Sequence, residues 1–196
     1  MLKRYLASAD WVRNSTAEGE LKKFRSMVDH FKRYAGQYDF DWLMVAAQAY
    51  QESHLNQDLR SQVGAIGVMQ ILPSTAADPR VNIRDIQNLE SNIHAGVKYL
   101  RFVVDEYFKD EQMDRVNKFL FAFASYNAGP AKVASLRQQA AAMGLDANKW
   151  FDNVEIIAAK EIGRETVQYV SNIYKYYIAY RQVATLTQTK TQKRKG

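Results

Sequence analysis

Residues 41–53 read DWLMVAAQAYQES. Trp42, Leu43, Met44, Val45, Ala46, Ala47, Ala49 and Tyr50 leave almost no polar face at helical spacing. A helix that is apolar all round belongs in the middle of a protein, not on its surface. Asp41 is placed to cap its first turn through a side-chain oxygen. At ~100° per residue, Glu52 projects about 20° from Val45 and about 60° from Ala49. A carboxyl group therefore hangs from an apolar stripe at the C-terminal end of the segment. Desolvation there favours the protonated form. The negative end of the helix dipole acts in the same direction. A carboxyl that keeps its proton near neutral pH is what general acid catalysis requires. Position alone leaves open an exposed helix-end glutamate, or one paired with an arginine.

Outward from this helix the periodicity stays helical. Leu21, Phe24, Val28, Phe31 and Ala35 step by three and four. So do Ile93, Val97, Leu100, Val104 and Tyr107, and then Val170, Ile173, Tyr174, Tyr177 and Ile178. Such stripes predict amphipathic helices over 17–35, 88–108 and 165–183. Residues 112–125, 130–143 and 154–163 also read as helices, the first two separated by Asn127-Ala-Gly-Pro130. No pair of alternating apolar runs is joined by a hairpin turn. The expected fold is all-α, with about seven to nine helices packed around 41–53.

The 196 residues suit one domain with extensions: 1–16 an N-terminal extension or linker, 17–186 the folded domain, 187–196 a basic, disordered tail. There is no cysteine, which excludes disulfides, thiolate metal sites and cysteine nucleophiles. His30, His54 and His94 have no metal-binding spacing, so no metal site is expected. The net charge of +6 invites a nucleic-acid reading. Its distribution argues against one. Residues 1–36 hold eight basic and four acidic side chains, and 187–196 hold Lys190, Lys193, Arg194 and Lys195 with no acid. The stretch between is mildly acidic, so a nucleic-acid surface built into the fold is disfavoured. The basic end is at most a weak contact for membrane or anionic cell-wall polymer. No apolar run spans a membrane, and MLKRYLASADW lacks the apolar core of a secretory signal. The missing signal reads as truncation rather than as cytoplasmic residence.

Three further segments bear on Glu52. Ser61, Gly64, Ala65, Gly67, Met69 and Gln70 follow it closely. Ala124, Tyr126, Asn127, Ala128, Gly129 and Pro130 come later, and then Glu165, Thr166, Tyr169 and Val170. With Glu52, Ser53 and Asn56 these pieces resemble the catalytic domain of the lytic murein transglycosylases, the soluble-lytic-transglycosylase and goose-lysozyme-like family. The family pattern is approximately E-S-x-x-N-P-x-A-x-S-x-x-G-A-x-G-L-M-Q, then A-x-Y-N-A-G-P, then E-T-x-x-Y-V. Gln57 stands for its proline, Leu59 for an alanine and Val68 for a leucine. The likeness spans about residues 38–182. It is greatest to a membrane-bound branch whose members carry an N-terminal solute-binding-like domain, which these residues do not include.

The resemblance implies a compact lysozyme-like helical domain, its buried central helix ending in the catalytic acid Glu52. It implies cleavage of the β-1,4 bond between N-acetylmuramic acid and N-acetylglucosamine in peptidoglycan, leaving a 1,6-anhydromuramic end. It assigns substrate-side roles to Ser61 near the N-acetyl group and to Met69 and Gln70 along the sugar groove. Tyr126 would pack or bond beside Glu52, with Asn127 ordering its loop. Tyr169 would touch substrate or steady the acid. Glu165 is either a second acid by the groove or an acidic residue favoured in a first helical turn. Substrate-assisted chemistry needs only one carboxyl group, so no cofactor is expected. The expected partner is a peptidoglycan glycan strand, the expected state a monomer. The expected place is the periplasm or the periplasmic face of the outer membrane. A hydrolytic muramidase and a non-catalytic glycan-binding module remain as alternatives.

Overall fold

The computed structural model describes residues 16–109 and 112–193, with side chains up to residue 185. Eight α-helices run through them: α1 Glu18–Gln37, α2 Trp42–Ser53, α3 Pro73–Ala77, α4 Leu89–Tyr107, α5 Arg115–Ala128, α6 Pro130–Ala142, α7 Glu155–Glu161 and α8 Arg164–Lys193. A π turn, Trp150–Val154, leads into α7. No strand occurs among the described residues; Ile66 makes two isolated bridges, to Arg60 and Ile71. The all-α architecture and its helix positions match the periodicity of the sequence.

The helix starts have local causes. Asp41 accepts a hydrogen bond from the Leu43 amide at 2.9 Å. Asn88 accepts from Glu90 and Ser91 at the start of α4. Asp114 accepts from Asn117 at the start of α5. Each satisfies amides that have no partner within the first helical turn. Between α5 and α6 the chain must turn within one residue. Gly129 does this with φ +94°, and Pro130 then opens α6 with its φ already fixed.

α2 is the centre. It packs against α8 on one side and α1 on another, while α5 also lies on α8 and α4 joins α1 to α5. Met44 to Ala47 and Ala49 are buried almost completely. Around them one core gathers Phe31, Leu100, Phe121, Phe123, Trp150, Val170 and Tyr180. Tyr180 stacks on Phe24 at 4.4 Å, and Tyr177 donates to Asp41 at 3.0 Å. Tyr180 thus serves packing and Tyr177 helix positioning. A smaller apolar cluster of Ile66, Ile71, Ala76, Val81, Ile86 and Ala95 anchors the long connection from α2 to α3.

The extension over 1–16 lies, except for Thr16, outside the described residues. The tail over 187–196 was expected to be disordered, yet the backbone of α8 continues as helix to Lys193. Extending an established helix needs no new nucleus, so a polar stretch with no apolar anchor can still follow it. Among the described residues no helix is long and apolar enough to cross a membrane.

Candidate active site

α2 ends abruptly just after Glu52. His54 caps it in the left-handed region with φ +51°, and its amide donates to the Tyr50 carbonyl. Leu55 follows at φ +57°. Two left-handed residues in succession turn the chain sharply back over the helix end. His54 is exposed and stacks flat on Tyr50 at 4.7 Å, away from any proton-transfer partnership with Glu52.

The returning loop, residues 54–72, is pinned by buried polar side chains. Ser53 Oγ bonds the Val68 carbonyl at 2.9 Å and accepts from the Asn56 amide at 3.1 Å. Asn92 on α4 is fully buried and makes two bonds into the loop and one beside it: it accepts from Met69 N–H at 2.8 Å and donates to the Ile66 carbonyl at 2.8 Å and to the Ile86 carbonyl at 2.9 Å. Gln57 accepts from Val68 N–H at 3.1 Å and donates to the Ile86 and Gln87 carbonyls. Gly67 sits between these two amides with φ +76°. A Cβ there would fall 2.6 Å from both. The loop therefore has one conformation, held by its polar interior.

Against this frame stands Glu52, half-buried. Tyr169, on α8 and 7% exposed, donates its phenolic proton to Glu52 Oε1 in a short hydrogen bond. Oε2 has no protein partner among the described residues and is not sealed from solvent. Burial pushes the Glu52 carboxyl up to about 7, and the Tyr169 hydrogen bond moderates that rise. No charged side chain contributes to it. Tyr126, on α5, donates to the Met69 carbonyl at 2.7 Å. Burial, and the field of Glu52, hold the phenols of Tyr126 and Tyr169 well above their usual range, so both stay protonated donors.

The expected site residues separate into three groups. Tyr169 bonds Glu52 directly, and Tyr126 stands within reach of the Glu52 charge without a hydrogen bond to it. Met69 joins them only through its carbonyl. Its side chain is 0% exposed and packs onto Gly96, where a Cβ would lie 2.8 Å away. The expectation of an apolar groove contact is thus corrected: the side chain faces the core, because Asn92 draws its amide inward. Ser61 and Gln70 shape the loop. Ser61 Oγ accepts from Ala65 N–H at 2.9 Å, leaving its own proton to donate. Gln70 turns its amide nitrogen inward to the Gly67 carbonyl at 2.9 Å. Asn127 and Glu165 form a third group where α5 meets α8. Asn127 accepts from the Thr166 hydroxyl at 2.7 Å. Glu165 is exposed in the first turn of α8, a position its charge suits. Sequence reasoning passed over Asn92 and gave Gln57 no role. Asn92 looked like any polar position of an amphipathic helix, whereas Gln57 was noted only as a departure from the family's proline, without the three bonds its amide makes.

A helical domain with a protonatable carboxyl at the end of its buried helix, held by one tyrosine and flanked by a second that pins the neighbouring loop, has the architecture of the lysozyme-like folds. The chain belongs to the transglycosylase SLT domain family, whose profile matches residues 29–151. It is similar to membrane-bound lytic murein transglycosylase F of Desulfosudis oleivorans, 34% identical over 83% of this chain and 37% of that protein. The like-named protein of Shewanella woodyi is 35% identical over 82% of this chain and 34% of its own length. This chain therefore spans about a third of these relatives. Among solved structures, an inactive mutant of lytic transglycosylase Slt from Pseudomonas aeruginosa superimposes with a TM-score of 0.61 at 25% identity, covering 80% of this chain and 24% of that one.

Proposed function

We propose that this domain cleaves the β-1,4 bond between N-acetylmuramic acid and N-acetylglucosamine in peptidoglycan without water, leaving a 1,6-anhydromuramic end. One observation carries the reading: a single carboxyl group, raised to about 7, with Oε1 occupied by Tyr169 and Oε2 open. The proton resides on Oε2 and passes to the glycosidic oxygen as the bond to C1 breaks. The substrate's own N-acetyl carbonyl stabilises C1 from the opposite face. The Glu52 carboxylate, steadied by the Tyr169 hydroxyl, then removes the C6 hydroxyl proton as that oxygen closes on C1. One residue is acid first and base second. Protonated and ionised forms must both be accessible, which a carboxyl near 7 allows.

Ser61 has a hydroxyl proton for the N-acetyl region, and Gln70 shapes the groove floor from within its loop. Asn127 and Glu165 border the groove where α5 meets α8, Asn127 tying its loop to Thr166. The partner is a glycan strand, bound by a monomer in the periplasm or at the periplasmic face of the outer membrane. The basic C-terminal residues add at most a weak hold on anionic surface.

The test is digestion of purified cell wall with mass analysis of the fragments. Anhydro ends are lighter than hydrated ends by one water. Fragments bearing only hydrated, reducing muramic ends would replace this reading with hydrolysis. Intact wall would leave glycan binding as the role.

A further inference from the structure

Gln48 lies one helical turn before Glu52 on α2, so both side chains leave the same face. It is a polar residue in an apolar run, with 0% exposure. Its amide nitrogen donates to the Tyr169 phenolic oxygen at 3.3 Å. Its carbonyl oxygen is buried and has no partner among the described residues. Leaving a buried amide half-satisfied is unfavourable, and a hydrophobic residue there would extend the core. Gln48 also lies ahead of the Glu52-Ser53 motif, so the family pattern assigns it nothing.

A phenol has one proton to give and two lone pairs to receive with. When Gln48 Nε2 donates to the phenolic oxygen, the Tyr169 proton has Glu52 Oε1 as its acceptor. Bonds in such a chain polarise one another in the same direction. Were the direction reversed, the acid's proton would lie on Oε1, facing Tyr169 and turned away from the glycosidic oxygen. We propose that Gln48 is a positioning residue which, by donating to Tyr169, keeps the Glu52 proton on the oxygen that faces the substrate. This rests on the reading of Glu52 as the acid. The titratable groups facing Glu52 are Tyr169 from α8 and Tyr126 from α5, and both remain protonated across the working pH range.

The test uses Gln48→Met, which keeps the volume and removes the donor, and Gln48→Glu, which keeps the shape and presents an acceptor once ionised. Each is measured beside Tyr169→Phe, Glu52→Gln and the double variant Gln48→Met/Tyr169→Phe. Circular dichroism melts verify folding. For Gln48→Met the expected results are a kcat about tenfold lower, KM unchanged, and an alkaline limb of kcat/KM displaced to higher pH. For Gln48→Glu the expected loss is larger. The double variant should be no slower than Tyr169→Phe alone, because both changes break the same chain. A kcat within twofold of the parent, an unmoved limb, or additive losses in the double variant would each overturn the proposal. If Gln48→Met is unfolded, Gln48→Glu supplies the same readouts. Failure of the acid assignment shows itself separately, as retained activity in Glu52→Gln.

Discussion

Tyr169 donates its hydroxyl proton to Glu52 across a sequence separation of 117 residues. This bond joins the end of α2 to the second turn of α8, the helix packed most extensively against it. It opposes the effect of burial on the same carboxyl, and the balance leaves Glu52 at about 7. Had burial acted alone, the carboxylate needed for the second step would be harder to reach.

The first prediction concerns pH. The first step needs the protonated acid, so kcat/KM should fall as pH rises through about 7. Initial rates on solubilised glycan strands from pH 4 to 9 measure this. A rate that keeps rising past pH 8 would contradict it.

Glu52→Gln should abolish turnover and yet stabilise the protein at alkaline pH. The folded carboxyl holds its proton more tightly than the unfolded one, whose ordinary value is 4.5. Its stabilising contribution is full below that value and is lost as pH climbs through about 7. The difference corresponds to at most about 3 kcal/mol. Thermal melts at pH 8 should place the variant several degrees above the parent, while melts at pH 4 should coincide.

Tyr169→Phe removes the bond that lowers the Glu52 value, so the alkaline limb should shift upward. Hydrogen bonds to charged groups contribute about 1.5–3 kcal/mol, which translates to a loss of about ten- to a hundredfold in kcat. The steady-state pH profile reads both effects together. An unchanged limb would mean that the phenol has no hold on the acid.

Asn92→Ala lies on a different helix from the acid, yet it should damage both stability and catalysis. It strips two buried bonds from the 54–72 loop and one from the Ile86 carbonyl. Orphaned buried groups cost about 1–3 kcal/mol each, so a large fall in melting temperature is expected. With its N–H released from Asn92, Met69 no longer holds its carbonyl in place for Tyr126, and kcat should fall below the parent's at temperatures where the variant is folded. Gly67→Ala should act on the same loop, since its Cβ would collide with the Asn92 and Gln57 amides.

How far the sequence could be read depended on where each constraint came from. α2 and its terminal carboxyl were legible because an all-apolar run admits one environment, and the angle from Val45 to Glu52 follows from helix geometry alone. The tyrosine clamp was legible only through motif resemblance, since nothing local to Tyr169 points at residue 52. Met69 was misplaced because an irregular loop has no periodicity to say which side chain faces inward. Gln48 and Asn92 escaped notice for opposite reasons. One is a single polar residue among hydrophobes, and the other sits among ordinary polar helix positions. What makes each matter is a tertiary neighbour.

The wide sequence spacing of the Glu52–Tyr169 pair also governs when the proposed acid is armed. A nascent or opened chain carries at position 52 a glutamate of ordinary acidity, ionised at neutral pH and unable to donate. Its proton is gained only once α8 closes on α2 and the 54–72 loop seals the other side. On the proposed reading, cleaving power therefore depends on α8 being seated on α2, and an opening that lifts α8 disarms the acid.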